Sequence, residues 1–311
     1  MPDIYTVTVN PAIDMILYLK KFEPEITNRL TDTREWLGGK GTHVSLNLRA
    51  MGLESTALGI AHGDNGRKVI RFLEERGIRT AFQQYEGAET RTNYLIIEED
   101  GKSTTLSSRG KMLTDEDIDS FIRFLRQYVR KGDWLILSGD ASNCPDPYVN
   151  NTIIRELKDL ELKVFLDASG ETLRRSAEAC PYMIKPNRDE LAYLTGLPTD
   201  TEEQILAAVA SMDIYRIPVI AVSLGGDGSL VKNGEDLYRV YSPKVHVGNT
   251  IGCGDCFLSG LVYGLMKELP FEETLRIAAA SSAATAESYL SVGYDTKRAE
   301  ELKSEVKIVK L

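Results

Sequence analysis

The residues best suited to chemistry lie in one loop, Thr250-Ile251-Gly252-Cys253-Gly254-Asp255-Cys256, which opens onto the helical pattern Phe257, Gly260, Leu261, Gly264 and Leu265. Consecutive backbone N–H groups at a helix start form a cradle for developing negative charge. A carboxylate at its edge could take a proton from an attacking hydroxyl, the part an aspartate plays in phosphoryl transfer. The plainer alternative is that Asp255 only caps the helix. The loop also contains Cys253-x-x-Cys256, a spacing found in redox and zinc sites. Cys144 and Cys180 supply no second pair at that spacing, so anion binding suits the flanking glycines better.

Two further glycine-rich loops stand out. Gly38-Gly39-Lys40-Gly41 leads into a helix with Val44, Leu48 and Met51 on one face. Glycines let backbone approach a ligand closely, and the helix start favours anions, although a bare glycine turn before a helix is the simpler reading. A P-loop is excluded, because Gly41 stands where Ser or Thr must follow the lysine and Arg34 occupies the first glycine position. Leu224-Gly225-Gly226-Asp227-Gly228 could likewise serve a phosphate, or could merely join two strands.

The elements that must position these loops alternate between short apolar runs and helical patterns, the signature of a mostly parallel sheet covered by helices. Strands are expected at Tyr5–Val9, Trp134–Leu137, Lys163–Leu166 and Val219–Leu224, whose near-continuous apolar character suits burial on both faces. Ile118, Phe121, Ile122, Leu125 and Val129 form a helical stripe, with Thr114 as N-cap and Asp117 three residues on. The small-residue run Ala278–Ala286 predicts a helix packed closely against a neighbour. Residues 12–37 and 89–107 break the rhythm with strand-like segments and no helix. Tyr94–Ile97 followed by Glu99-Asp100-Gly101-Lys102 reads as a β-hairpin. The expected organisation is an α/β core (1–11, 38–88 and 108–311) carrying a small β-sheet lid (12–37 and 89–107).

Composition narrows the partners. The 311 residues include 42% hydrophobic side chains, enough for a sizeable core. A net charge of −9 argues against a general nucleic-acid binder. The apolar runs are too short to cross a bilayer and the start lacks the pattern of a secretory leader, so a soluble cytoplasmic protein with no membrane partner is expected. The four cysteines suggest no disulfide framework.

Taken together, Asn10-Pro11-Ala12-Ile13-Asp14, Gly38-Gly39-Lys40-Gly41, Thr90-Arg91-Thr92-Asn93, Lys185-Pro186-Asn187-Arg188-Asp189-Glu190 and Gly252-Cys253-Gly254-Asp255 resemble the ribokinase-like, or phosphofructokinase-B, family of carbohydrate kinases. The similarity runs over essentially the whole chain and is greatest to the 1-phosphofructokinase and tagatose-6-phosphate kinase branch. It implies a ribokinase-like fold, ATP and Mg²⁺ as co-substrate and cofactor, and a homodimer paired through the lid. It implies that Asp255 is the general base and that Gly252, Cys253 and Gly254 form the anion hole. Asp14, Gly38 and Gly39 would contact the sugar, with His43, Asn93 and Ser138 nearby. Arg29, Arg91 and Lys40 would hold a phosphate on that sugar, which suits guanidinium chemistry, unless the two arginines are only solvated lid residues. Lys185, Ser223, Gly225 and Gly228 would line the nucleotide site, and Asn187 and Glu190 would organise Mg²⁺ partly through water. The implied reaction is phosphorylation of a phosphorylated ketohexose, with fructose 1-phosphate first, then tagatose 6-phosphate or fructose 6-phosphate; a kinase of an unphosphorylated sugar or nucleoside, and a non-catalytic sugar- or nucleotide-sensing protein on a kinase fold, are the alternatives.

Three residues depart from the family pattern. His43 stands where Asn is usual, Asp140 follows Ser138-Gly139 where a small hydroxyl residue is usual, and Cys253 replaces Ala or Ser. A backbone anion hole tolerates any side chain at Cys253. The other two changes bear on which sugar is accepted.

Overall fold

A computed structural model of the chain describes residues 2–288, 290 and 292–311. In chain order its strands are β1 Ile4–Thr8, β2 Ala12–Leu19, β3 Asp32–Gly38, β4 Thr56–His62, β5 Arg79–Tyr85, β6 Arg91–Glu98 and β7 Ser103–Ser107. They continue with β8 Trp134–Ser138, β9 Lys163–Asp167, β10 Met183–Ile184, β11 Val219–Ser223, β12 Ser229–Asn233, β13 Asp236–Tyr241 and β14 Lys307–Lys310. The helices are α1 Lys40–Ala50, α2 Gly63–Glu74, α3 Asp115–Tyr128, α4 Val149–Glu156, α5 Gly170–Ala177, α6 Arg188–Thr195, α7 Glu202–Ser211, α8 Cys253–Met266, α9 Phe271–Ala286 and α10 Thr296–Leu302.

A ten-stranded sheet runs β14-β13-β12-β11-β10-β9-β8-β1-β4-β5. Strands β5 through β11 along that order pair in parallel, and β12, β13 and β14 extend the sheet antiparallel. Every residue of β8 is buried. Leu135 and Leu137 enter the core shared with α3 to α7, while Trp134 and Ile136 enter the core shared with α1, α8 and α9. A strand covered on both faces has no solvent side, which is why its sequence is apolar without alternation. The expected strands hold to within a residue: β1 starts and stops one earlier, β9 extends to Asp167, and β11 stops at Ser223.

Helix α3 begins as its sequence dictates. The Thr114 hydroxyl accepts from the Asp117 N–H at 3.2 Å, and the Asp117 carboxylate accepts from the Thr114 N–H at 2.8 Å. Two helices differ from expectation. Met51 falls outside α1, which ends at Ala50 as the chain turns through Gly52. Helix α8 is not amphipathic but buried on almost every side, with Leu265 only half-buried, because α1, α9 and the sheet enclose it. A Cβ at Gly260 would stand 2.5 Å from Ala278 Cα, so the small residues of α8 and α9 are what allow their close contact.

The second sheet has four strands in the order β3-β2-β6-β7. β2 pairs parallel with β6, and β6 turns into β7 as an antiparallel hairpin closed by Gly101 N–H donating to the Glu98 carbonyl at 2.9 Å. Ile13 and Leu37 anchor this sheet against Val69, Leu73 and Phe82 of the core. Tyr94 and Leu106 lie on the same face as Ile13 and Leu37, opposite Asp14 and Asn93, and are exposed. Among the described residues no helix is long and apolar enough to cross a membrane.

Candidate active site

A cleft of about 370 Å³ opens between the carboxyl ends of the parallel strands and the small sheet. Such ends are where α/β sheets bind ligands, because loops and helix N-termini converge there. Asp14, Gly39, Lys40, His43, Arg91, Asn93, Asp140, Asp167, Lys185, Asn187, Glu190, Ser223, Gly252, Gly254 and Asp255 all line it. Segments separated by up to some 240 positions in sequence therefore share one surface.

On the core side, Gly252 is the N-cap of α8 and Asp255 lies in its first turn, 5% exposed. The first N–H groups of a helix have no intrahelical acceptor, so this end offers donors and a positive dipole end. Asp255 Oδ2 lies 2.8 Å from His43 Nδ1, and His43 Nε2 lies 2.9 Å from the Leu37 carbonyl oxygen. Burial, the largest single influence on His43, would lower its pKa. The hydrogen bond and charge of Asp255, the charge of Asp14 and the Leu37 carbonyl outweigh it, and the net shift is upward.

Beneath the cleft, the Asp167 carboxylate bridges two lysines, Lys40 Nζ at 3.1 Å and Lys185 Nζ at 3.1 Å. Burial alone would raise the Asp167 pKa, but the charges of Lys185 and Lys40 prevail and hold it below the usual carboxylate range. Lys40 is pushed the other way: desolvation disfavours its charge, yet Asp167, Asp255 and Glu190 together raise its pKa.

On the lid side, buried Asp14 accepts from Asn93 Nδ2 at 2.9 Å across the β2–β6 register. Gly38 backs Asp14 so closely that a Cβ there would meet Asp14 Oδ1 at 2.1 Å; any larger residue would displace the carboxylate. Arg91 is buried, which excludes the reading of it as a solvated lid residue. Its Nη1 donates to Asp140 Oδ2 at 2.6 Å, Ser107 Oγ at 3.1 Å and the Ser108 carbonyl at 3.0 Å. Its buried Nε has no hydrogen-bond partner among the described residues.

At the other end, Asn187 and Glu190 form a reciprocal capping box on α6: Asn187 Oδ1 accepts from Glu190 N–H at 2.8 Å, and Glu190 Oε2 accepts from Asn187 N–H at 2.9 Å. Both still face the cleft. No cluster of three or more acidic, His or Cys side chains that could enclose a metal occurs among the described residues. One carboxylate and one amide oxygen at the cleft are oxygen donors of the kind that fits Mg²⁺, which keeps waters and takes ligands from phosphates. Ser223 lines the cleft and bridges to Asn187. Gly225 and Gly228 lie just beyond, in the tight turn that joins β11 to β12.

Some expected site residues do not converge. Arg29 is exposed on the segment between β2 and β3 and does not line the cleft. Ser138, at the end of β8, is buried beneath the cleft with its hydroxyl unpartnered among the described residues. The cysteines are free thiols. Burial, then the charge of Asp255, push Cys253 up to about 12, and burial raises Cys256 as well. Desolvation thus outweighs the helix end at both thiols and disfavours the thiolate that a redox role requires. Asp167 escaped the sequence reading, although its position at the end of a predicted strand marks it as facing the ligand edge.

A mostly parallel α/β sheet with a small accessory sheet facing a helix end that carries a buried carboxylate is the ribokinase-like arrangement. The chain belongs to the pfkB family of carbohydrate kinases, whose model matches residues 6–295. It is 32% identical over 283 residues to 1-phosphofructokinase from Bacillus subtilis, covering 91% of this chain and 92% of that one. It is 28% identical to tagatose-6-phosphate kinase from Staphylococcus epidermidis over 99% of this chain and 100% of that one. The crystal structure of phosphofructokinase-2 from Escherichia coli superposes with a TM-score of 0.90 at 22% identity, over 98% and 99% of the two chains, a likeness of fold.

Proposed function

We propose that this carbohydrate kinase transfers the γ-phosphoryl group of ATP to a hydroxyl of a phosphorylated ketohexose, with fructose 1-phosphate as the first choice. The observation that carries this reading is a single cleft in which the carboxylate of Asp255 and the guanidinium of Arg91 both face the substrate space. Asp255 is assigned as the base for the acceptor hydroxyl, and the N–H groups of the Gly252-Cys253-Gly254 segment as donors to the transferring phosphoryl. Asp14 and Asn93 are assigned to sugar hydroxyls, with the backbone of Gly38 and Gly39 alongside. Arg91, with an unpaired buried N–H, is assigned to the sugar's own phosphate, together with Lys40.

Lys185, Ser223 and the Gly225–Gly228 turn are assigned to the nucleotide side. Asn187 and Glu190 would hold Mg²⁺ through retained waters, and the ion would neutralise phosphate charge. The transfer is direct and in line, since positioning and charge stabilisation dominate phosphoryl-transfer catalysis. Closure of the small sheet over the cleft would exclude water and limit wasteful hydrolysis of ATP. Exposed Tyr94 and Leu106, on that sheet's face opposite Asp14 and Asn93, support a homodimer paired through the lid.

The likeness to tagatose-6-phosphate kinase over 99% of this chain keeps tagatose 6-phosphate as the second reading, and the Asp140 ion pair to Arg91 at 2.6 Å lowers the positive charge offered to either sugar phosphate. Substituting Arg91→Ala tests the phosphosugar reading. KM for the phosphorylated sugar is expected to rise at least about tenfold, consistent with losing a charge-assisted hydrogen bond. An unchanged KM would favour an unphosphorylated acceptor.

A further inference from the structure

The buried imidazole of His43 faces two acceptors. Its Nε2 points at the Leu37 carbonyl, which can only accept, so that nitrogen carries a proton. Its Nδ1 meets Asp255 Oδ2 at 2.8 Å, and a hydrogen bond there requires one proton between the two atoms. Neutral His43 beside ionised Asp255 would set a nitrogen lone pair against a carboxylate oxygen, both buried away from water. A neutral ring, in either tautomer, satisfies only one of the two contacts, so both hydrogen bonds together need one further proton held between His43 and Asp255. The asparagine of the family pattern at this position cannot titrate in this way.

We propose that His43 and Asp255 share one titratable proton, so that His43 acts as a positioning residue that sets the pH at which the base becomes available. This rests on the reading of Asp255 as the kinase base. With the shared proton present, the Asp255 oxygen nearest His43 is already engaged and the carboxylate is a weak acceptor. Once that proton has left to solvent, the pair takes one from the substrate. The sugar O–H proton moves to Asp255, the sugar oxygen bonds to the γ-phosphorus, and the bond from that phosphorus to the departing ADP oxygen breaks. The proton then resides in the His43–Asp255 hydrogen bond and is released before the next cycle.

The field around the pair favours retaining the proton on the histidine side. Asp14 of β2 and Asp255 of α8 raise the His43 pKa against the opposing effect of burial. Across the cleft stand Asp140, Asp167 and Glu190, with Lys40, Lys185 and Arg91 as the cations. Lys40 and Lys185 are both committed to Asp167, which tempers their effect on the pair. His62 provides an internal contrast, since burial lowers its pKa against the weaker charge of Asp117 and, among the described residues, no carboxylate is hydrogen-bonded to its ring.

The chain has three histidines, which makes ring-nitrogen NMR tractable. In uniformly ¹⁵N-labelled full-length protein at pH 6.5, His43 is expected to show both ring nitrogens protonated or a proton shared at Nδ1, while His62 shows a neutral ring. Asp255→Asn should abolish the Nδ1 signature. A neutral His43 with one ordinary N–H, indifferent to Asp255→Asn, overturns the proposal. The catalytic consequence is read from kcat/KM against pH for the wild type and His43→Asn. The ratio of variant to wild type should be at least about tenfold greater at pH 5.5 than at pH 8.5, because one pH unit below a required deprotonation costs tenfold. A ratio independent of pH contradicts the coupling to turnover. Absence of kinase activity on every sugar would remove the kinase reading but leave the NMR result to decide the proton sharing.

Discussion

The two walls of the cleft are built differently. The core wall sets Asp255, His43, Lys185 and Asp167 on α8, α1 and the strand ends of the large sheet, all buried and cross-braced by hydrogen bonds and ion pairs near 3 Å. The lid wall sets Asp14, Asn93 and Arg91 on a four-stranded sheet whose β7 is exposed throughout. Chemistry that needs fixed geometry suits the first wall. Recognition that varies from one sugar to another suits the second, where Asp140 already modifies what Arg91 can offer. The contrast implies that substitutions on the core wall should damage turnover or folding, and those on the lid wall should damage substrate affinity.

The sharpest way to break that contrast is Asp255→Asn. Loss of a positioned base lowers kcat by about 10²–10⁴, and KM and thermal stability are expected to stay close to wild type. Near-normal turnover, measured by ADP release, would place the base elsewhere. Next in size is Asp167→Asn, which removes the buried carboxylate that bridges Lys40 and Lys185. Breaking a buried ion pair from one side costs about 3–5 kcal/mol, checked by urea unfolding. The pH dependence of that loss is fixed in sign. Because folding holds the Asp167 pKa below its ordinary value, its contribution is complete above the ordinary carboxylate range and disappears as pH falls through the lowered value. The gap between wild type and Asp167→Asn should therefore narrow in acid, and a gap that widened would contradict the assignment of charge. The smallest effect belongs far from both walls. Thr114→Ala removes the cap of α3 and should cost about 1 kcal/mol with no change in KM or kcat.

Much of this was legible in the sequence because the signals are local. The capping pair Thr114/Asp117, the apolar strands and the glycine-rich loops each follow from neighbours within a few residues, and local chemistry decides them. Contacts between distant segments are another matter. Nothing in the spacing of His43 and Asp255, 212 positions apart, announces a hydrogen bond, and the Arg91–Asp140 pair is equally silent. For helix α8 periodicity reports the stripe Phe257, Gly260, Leu261, Gly264 and Leu265 but not that α1 and α9 would enclose its other faces too. Arg29 could be matched to a motif, yet a motif does not say whether an exposed loop reaches the cleft of its own chain. Asp167 was missed because a lone carboxylate at a strand end acquires meaning only when two lysines meet it.

The most direct test of the central claim is a coupled ADP-release screen of the wild-type enzyme with ATP and Mg²⁺. It would compare fructose 1-phosphate, fructose 6-phosphate, tagatose 6-phosphate and their unphosphorylated counterparts. The expected result is kcat/KM highest for a ketohexose phosphate, with fructose 1-phosphate first. A higher kcat/KM for an unphosphorylated sugar, or no ADP formed with any of them, would contradict it.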